Sequence, residues 1–291
     1  MLLNIIRCIR PKQWTKNLLV FAGLLFTLNS RHPASDVLKV VLAFVIFCLL
    51  SGSVYLVNDV LDAEKDRKHP KKRYRPIACG KVSPRVAVFL AVALGAVSLA
   101  AAFRLDFFFG LVTVAYLLLS TSYSFVLKHL VIVDVFSIAA GFVLRAAAGA
   151  LVIHVTISEW LLLCTTLLAL FMGLAKRRNE LVTLDNNAGE HRKILEEYSP
   201  ALLDQMINVT AACTIVAYMF YTFLSRTGEG SHRYMMMTIP FVIYGLFRYL
   251  YLVHSKNLGG SPESVVIEDK PLLVNIILWM VTVAVVFMAT K

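Results

Sequence analysis

Runs of about 20 apolar residues recur along the whole chain, and no other feature limits its fold so sharply. At 1.5 Å per residue, a helix of that length crosses the hydrocarbon core of a bilayer. Nine such segments are predicted, at roughly 17–30, 36–59, 84–103, 106–125, 134–153, 158–175, 201–225, 234–254 and 272–290. Each must be helical, because backbone polar groups in lipid need partners within their own segment. Hydrophobic residues make up 58% of the chain and charged residues 16%, against about 45–50% and about 25% in soluble domains. A soluble globular enzyme and a disordered chain are therefore excluded. The expectation is an all-α polytopic membrane protein with nine transmembrane helices and one domain over 1–291.

The charges orient it. With the N-terminus cytoplasmic, 21 of the 29 Lys and Arg residues fall in or beside inside segments. Only Arg31, Arg104, Arg226, Arg233 and Lys291 fall outside, and Lys39, Arg145 and Arg248 fall within spans. That bias follows the positive-inside rule, so the net charge of +11 requires no nucleic acid. The opening MLLNIIRCIRPKQWTKN places its charges after a short apolar run. This is the reverse of a cleavable signal and reads as an amphipathic segment on the membrane. Cys8, Cys48, Cys79, Cys164 and Cys213 have no metal-ligand spacing and are read as buried reduced thiols. Trp14, Trp160 and Trp279 suit interfacial anchors, and Met235 to Met237 suit packing. Two inside loops, 60–83 and 176–200, are long and carry both signs of charge. Topology alone gives no reason for their carboxylates, so function is expected on the cytoplasmic face.

Span 2 runs into the first of these loops through NDVLDAEKD, residues 58 to 66. Asn58, Asp62 and Asp66 are spaced i, i+4, i+8 and share one helical face, with Asp59 beside them. Oxygen-bearing side chains gathered this way repel one another unless a cation sits among them. Mg²⁺ takes one or two carboxylates together with phosphate oxygens and water, which suits a diphosphate leaving group. A basic run follows at once, with Arg67, Lys68, His69, Lys71, Lys72, Arg73 and Arg75. It serves topology, and beside metal-type carboxylates it also suits a phosphorylated substrate. His69 is read as a hydrogen-bond partner within the loop.

NDVLDAEKD followed by RPIACGKVS resembles the first motif of the UbiA superfamily of intramembrane prenyltransferases, N-D-x-x-D-x-x-x-D with a downstream R-P and glycine. Arg75, Pro76 and Gly80 match the downstream part. The resemblance extends over essentially the whole chain. It implies a nine-helix bundle with a catalytic chamber open to the cytoplasm. Typical members carry a second acidic motif, D-x-x-x-D, after the sixth span. Here that loop reads AKRRNELVTLDNNAGEHRK, with Asp185 and Glu190 five apart and a basic cluster at Lys176, Arg177 and Arg178. The departure argues against a prenyl diphosphate donor and for a substrate pair richer in phosphate.

RPKQWTKN, HPKKRYRPIACG and YSFVLKHLVIVDVFSIAAGFVLRAAAGA together resemble the decaprenyl-phosphate phosphoribosyltransferase branch of the superfamily. The resemblance implies Mg²⁺-dependent transfer of 5-phosphoribose from phosphoribosyl diphosphate to a polyprenyl phosphate. The lipid product would feed arabinose donors for cell-wall polysaccharide, and the enzyme would sit in a bacterial plasma membrane. Asn58, Asp59, Asp62 and Asp66 would hold the metal on the donor diphosphate. The lipid phosphate is already an anionic nucleophile, so no strong general base is needed. Catalysis would then be mainly positioning and charge stabilisation. Lys72, Arg75, Lys176, Arg177 and Arg178 are candidates for the phosphates. Glu180 would touch a ribose hydroxyl, hold a second metal or order the basic cluster.

Arg145 lies near mid-membrane, too far along its helix to pair with Asp134. It either meets a substrate phosphate or pairs with a carboxylate of another helix. Tyr123, Lys128 and Asp134 are placed at the cytoplasmic ends of spans 4 and 5 as candidate substrate contacts. Lys16 and Gln13 either reach the site or hold the membrane surface, and Arg248 snorkels. A homo-oligomer stays open. Two other readings fit part of the sequence. An ordinary prenyltransferase would need the missing second acidic clamp. A transporter of a phosphorylated lipid or anion would use Arg145 but has no need for metal-type carboxylates.

Overall fold

The computed structural model describes residues 2–27, 32–68, 72–156, 158–184, 193–224, 232–256, 265–266 and 268–289. Among them every regular element is helical. A short amphipathic helix, α1 (Leu2–Ile9), leads into a 3₁₀ stretch, Pro11–Phe21, and α2 (Ala22–Leu25). Then come α3 (Ala34–Leu61), α4 (Ala63–Lys68), α5 (Pro84–Leu105), α6 (Phe107–Phe125), α7 (Val133–Leu151), α8 (Glu159–Leu184), α9 (Pro200–Leu224), α10 (Ile239–Ser255) and α11 (Lys270–Ala289).

Eight of the described helices are long and apolar enough to cross a membrane. They coincide with the second to ninth predicted spans. The first predicted span, 17–30, differs: its described part is the end of the 3₁₀ stretch followed by the single turn of α2, and 28–31 lie outside the described residues. The sequence also encodes where the long helices begin. Pro33 is extended ahead of α3, and Ser83 caps α5 by accepting from the Val86 N–H at 3.4 Å, with Pro84 at the first helical position. Asp106 ends α5 with extended backbone and caps α6 through the Phe109 N–H at 2.8 Å. One residue thus makes the whole turn.

The chain divides into two compact units. The first comprises Met1–Gly23, Pro33–Lys128 and Leu144–Val155. Its core sets Cys8, Leu56, Ile77, Val82, Ala87 and Ala91 together, which fixes the loop after the acidic motif against α3 and α5. The 3₁₀ stretch comes unusually close to the end of α7. A Cβ at Gly149 would lie 1.8 Å from the Val20 carbonyl oxygen, and one at Gly23 would lie 2.8 Å from the Ala150 Cα. Two glycines therefore permit backbone contact that any side chain would block.

The second unit comprises Leu24–His32, His129–Val143 and Thr156–Lys291. Its larger core joins Val135, Phe171, Leu174, Leu203, Ile207, Tyr249 and Leu252. A smaller aromatic cluster gathers Tyr218, Tyr221, Met235 and Phe287. There Tyr218 hydrogen-bonds Thr238 at 2.6 Å and accepts from Trp279 Nε1 at 2.9 Å.

Candidate active site

α3 delivers the acidic motif. It ends at Leu61, and Asp62 forms the break before α4. The helical spacing nevertheless continues through the break: the Asp62 N–H donates to the Asn58 carbonyl at 2.9 Å and the Asp66 N–H to the Asp62 carbonyl at 2.8 Å. Asn58, Asp62 and Asp66 therefore keep one row, as their i+4 spacing predicts.

Each aspartate of the motif meets a cation of the first unit. Arg10 donates to Asp59. Arg75 Nη1 bridges two acids, at 3.0 Å from Asp59 Oδ1 and 2.7 Å from Asp66 Oδ2. Lys128 Nζ lies 2.9 Å from Asp62 Oδ1. Three acids thus face three cations in a region where Asp59 and Asp66 are buried. The loop holding Arg75 is itself ordered. Arg67 Nε donates to the Ala78 carbonyl at 3.1 Å, the Val82 N–H reaches the Pro76 carbonyl at 3.1 Å, and Gly80 turns the chain at φ +76°. Lys72 is exposed, and Arg73 stacks on Tyr74. His69 and Lys71 lie outside the described residues.

Among the described residues, no three His, Cys, Asp or Glu side chains are gathered as a metal cage. The donors still fit Mg²⁺ in kind. The row offers one amide and two carboxylates, all hard oxygens, and Mg²⁺ completes its shell with water and phosphate oxygens and needs no closed protein cage. Asp59, also expected in that set, differs from Asp62 and Asp66 in having two cations, both guanidiniums, on one oxygen.

Arg145 is buried in the first unit, where Nε donates to Asn17 Oδ1 at 2.8 Å and Nη2 to the Tyr116 hydroxyl at 2.7 Å. Its guanidinium also lies 4.6 Å from the Tyr116 ring centre. Asn17 passes the network on to Ser51 Oγ at 3.2 Å and Cys48 Sγ at 3.4 Å. Lys16 donates to Gln13 at 2.8 Å, and Tyr123 is half-buried near the end of α6.

In the second unit the basic cluster is not on a loop. α8 continues to Leu184, so Lys176, Arg177, Arg178 and Glu180 are helical. Arg177, expected to meet a phosphate, is 1% exposed and clamped by carboxylates, with Nε 2.8 Å from Asp134 Oδ2 and Nη1 on Glu180. Asp134 is fully buried and also accepts from the Tyr198 hydroxyl at 3.3 Å. That hydroxyl in turn accepts from the Ile132 N–H at 2.7 Å, and burial pushes the Tyr198 phenol up, keeping its proton on. Glu180 thus meets Arg177 three residues away on the same helix. Arg178 pairs with Asp204, which also meets His254 Nε2 at 3.2 Å. Lys176 is half-buried. Asp185 and Glu190 lie outside the described residues. Arg248, expected to be structural, makes a two-pronged contact with Asp269 at 3.1 and 2.8 Å.

Sequence reasoning missed Arg10, Asn17, Tyr198 and Asp204. Arg10 and Asn17 bracket RPKQWTKN, so the signal was the segment itself. Tyr198 and Asp204 flank the start of the predicted span 201–225, and nothing in the sequence pairs them with Asp134 and Arg178.

Residues 18–267 match the UbiA prenyltransferase family. The chain belongs to that family. Among curated relatives of this UbiA-family chain, the decaprenyl-phosphate phosphoribosyltransferase of Mycobacterium tuberculosis is 38% identical over 283 residues, covering 96% of this chain and 93% of the relative. That of Mycolicibacterium smegmatis is 34% identical over 291 residues, covering 96% and 91%. Among solved structures, a UbiA homologue from Archaeoglobus fulgidus bound to GPP and Mg²⁺ superposes with a TM-score of 0.75 at 20% identity, covering 98% of this chain and 99% of the other. The fold is thus that of the family, as its motif suggested.

Proposed function

We propose that the chain is a membrane transferase that moves 5-phosphoribose from phosphoribosyl diphosphate to a polyprenyl phosphate. The observation carrying this reading is the similarity, over 96% of the chain, to relatives named for that activity. The balance of cations and acids supports it, since both substrates are phosphorylated. The bond from C1 to the diphosphate oxygen breaks, and one from C1 to the lipid phosphate oxygen forms. Both oxygens are anionic, so no side chain need take a proton.

Asn58, Asp62 and Asp66 would hold Mg²⁺, which when bound supplies positive charge to the leaving diphosphate. Arg75 and Lys128, released from Asp66 and Asp62, would turn to phosphate oxygens. Lys72, Lys16 and Tyr123 are further candidate contacts in the first unit. In the second unit, Lys176 and Arg178 are the phosphate candidates, and Arg177 with Asp134 is assigned to holding α8. Arg145 orders Asn17 and Tyr116. Nine spans, a cytoplasmic N-terminus and a site facing the cytoplasm of a bacterial plasma membrane complete the proposal, with arabinose-donor synthesis as the use of the product.

Purified protein, polyprenyl monophosphate and labelled phosphoribosyl diphosphate test it. Label should enter an organic-extractable lipid with Mg²⁺ and not with EDTA. Asp62→Asn should lower the rate by about 10²-fold or more, the scale of losing one group that stabilises charge in the transition state. Consumption of a labelled prenyl diphosphate with an aromatic acceptor, and no lipid-borne phosphoribose, would overturn the reading.

A further inference from the structure

Asp59 stands one residue beyond Asn58, so it projects about 100° away from the row of Asn58, Asp62 and Asp66. It lies one turn after Tyr55, and the side of α3 it occupies is the one met by the N-terminal segment. Its carboxylate is 3% exposed, and one oxygen accepts from both Arg10 and Arg75. The Arg10 guanidinium also lies 5.0 Å from the Tyr55 ring centre. The Arg10 backbone is left-handed, at φ 55° and ψ 64°, a conformation disfavoured for any residue with a Cβ. Pro11 follows, so the chain turns sharply at the residue whose side chain reaches Asp59. Arg75 stands between two acids, with Asp59 on one side and Asp66 on the other.

A divalent cation at Asp59 would be set against two guanidiniums already bound to the same oxygen. A metal on the Asp66 side displaces only one of the two acids from Arg75. Arg75 then keeps Asp59 as its hold, and its freed N–H groups face whatever the metal brings. Arg10 has the same support and the same planar fork, which suits phosphate oxygens. We propose that Asp59 is a positioning residue and not a metal ligand: it holds Arg10 and Arg75 as a pair of guanidiniums for the donor's diphosphate, and Arg10 is a substrate-binding residue of that site. This rests on the reading given above of a diphosphate donor.

Two binding measurements on purified full-length protein test it without turnover. The first is binding of labelled inorganic diphosphate in EDTA, by equilibrium dialysis. The second is binding of Mn²⁺ alone, by electron paramagnetic resonance. Asp59→Asn and Arg10→Gln should weaken diphosphate binding fivefold or more and leave Mn²⁺ binding within twofold of the unchanged protein. Asp62→Asn should do the reverse. If Asp59→Asn fails to fold, Arg10→Lys carries the test. It keeps the charge but loses the fork, and should weaken diphosphate at least threefold with Mn²⁺ unaltered. Loss of Mn²⁺ binding in Asp59→Asn, unchanged diphosphate affinity in the Arg10 variants, or no diphosphate binding by the unchanged protein in EDTA would each overturn the inference. The transfer assay fails separately: intact diphosphate and Mn²⁺ binding with no label in lipid would refute the phosphoribosyl reading and leave the role of Asp59 standing.

Discussion

Arg177 shows what a residue in a basic run can conceal. In the sequence it is the middle of KRR and looks like a phosphate contact. In the fold it is among the largest fully buried side chains of the described residues, with a carboxylate on either side. Breaking a buried pair by removing one partner costs about 3–5 kcal/mol, because the other charge stays buried. Arg177→Gln and Asp134→Asn should therefore destabilise the detergent-solubilised protein by similar amounts, roughly 10 °C in Tm. Arg178→Gln, whose partner Asp204 is about one third exposed, should cost much less. A thermal unfolding series reads this directly. A stable Arg177→Gln protein with a raised KM for the lipid phosphate would show that Arg177 is a substrate contact after all. The acidic row was legible because its members are four residues apart, a spacing the chain keeps through the break at Asp62. Arg177 was not, because its burial depends on Asp134, a distant residue of α7.

At the scale of elements, helix type and position followed from apolar length, while the caps at Ser83 and Asp106 were seen only in the fold. Two other features did not follow from that length. α8 runs past the apolar stretch into charged sequence, because Arg177 brings Glu180 and Asp134 with it and no Gly or Pro intervenes before Leu184. The Pro11–Phe21 segment winds as a 3₁₀ helix against α7, a contact that depends on Gly149 and that periodicity cannot report. Gly149→Ala drives a methyl into the Val20 carbonyl, and overpacking of that kind costs about 1–3 kcal/mol. Gly95→Ala offers the comparison: its added Cβ would meet Ser53 Oγ at 3.6 Å, an ordinary contact. Gly149→Ala should lower Tm and folded yield while Gly95→Ala changes neither. Equal behaviour of the two would mean that the close approach at Val20 is not needed for folding.

For the whole molecule, the charge bias assigns a side of the membrane to every loop, and the thiols can read that assignment. Cys79 is exposed, in the loop after the acidic motif. Cys8 is buried, and burial pushes its thiol up to about 11. Only the thiolate reacts with maleimide at an appreciable rate. A thiol with its pKa that far above pH 8 is ionised in only about one molecule in a thousand, so Cys8 stays silent and gains reactivity only as pH rises toward its raised value. Cys213 is exposed on α9, within an apolar helix where a membrane-impermeant reagent has no aqueous access. Labelling at pH 7 therefore reports Cys79 almost alone, and a Cys79→Ser protein measures the remainder. With the acidic motif facing the cytoplasm, inside-out vesicles should label and intact cells should not. Labelling of intact cells would invert the topology and place Asn58, Asp62, Asp66 and Arg75 on the side of the membrane away from any cytoplasmic phosphoribosyl donor. The transfer reaction could not then draw on that donor, however well the isolated protein performed it in detergent.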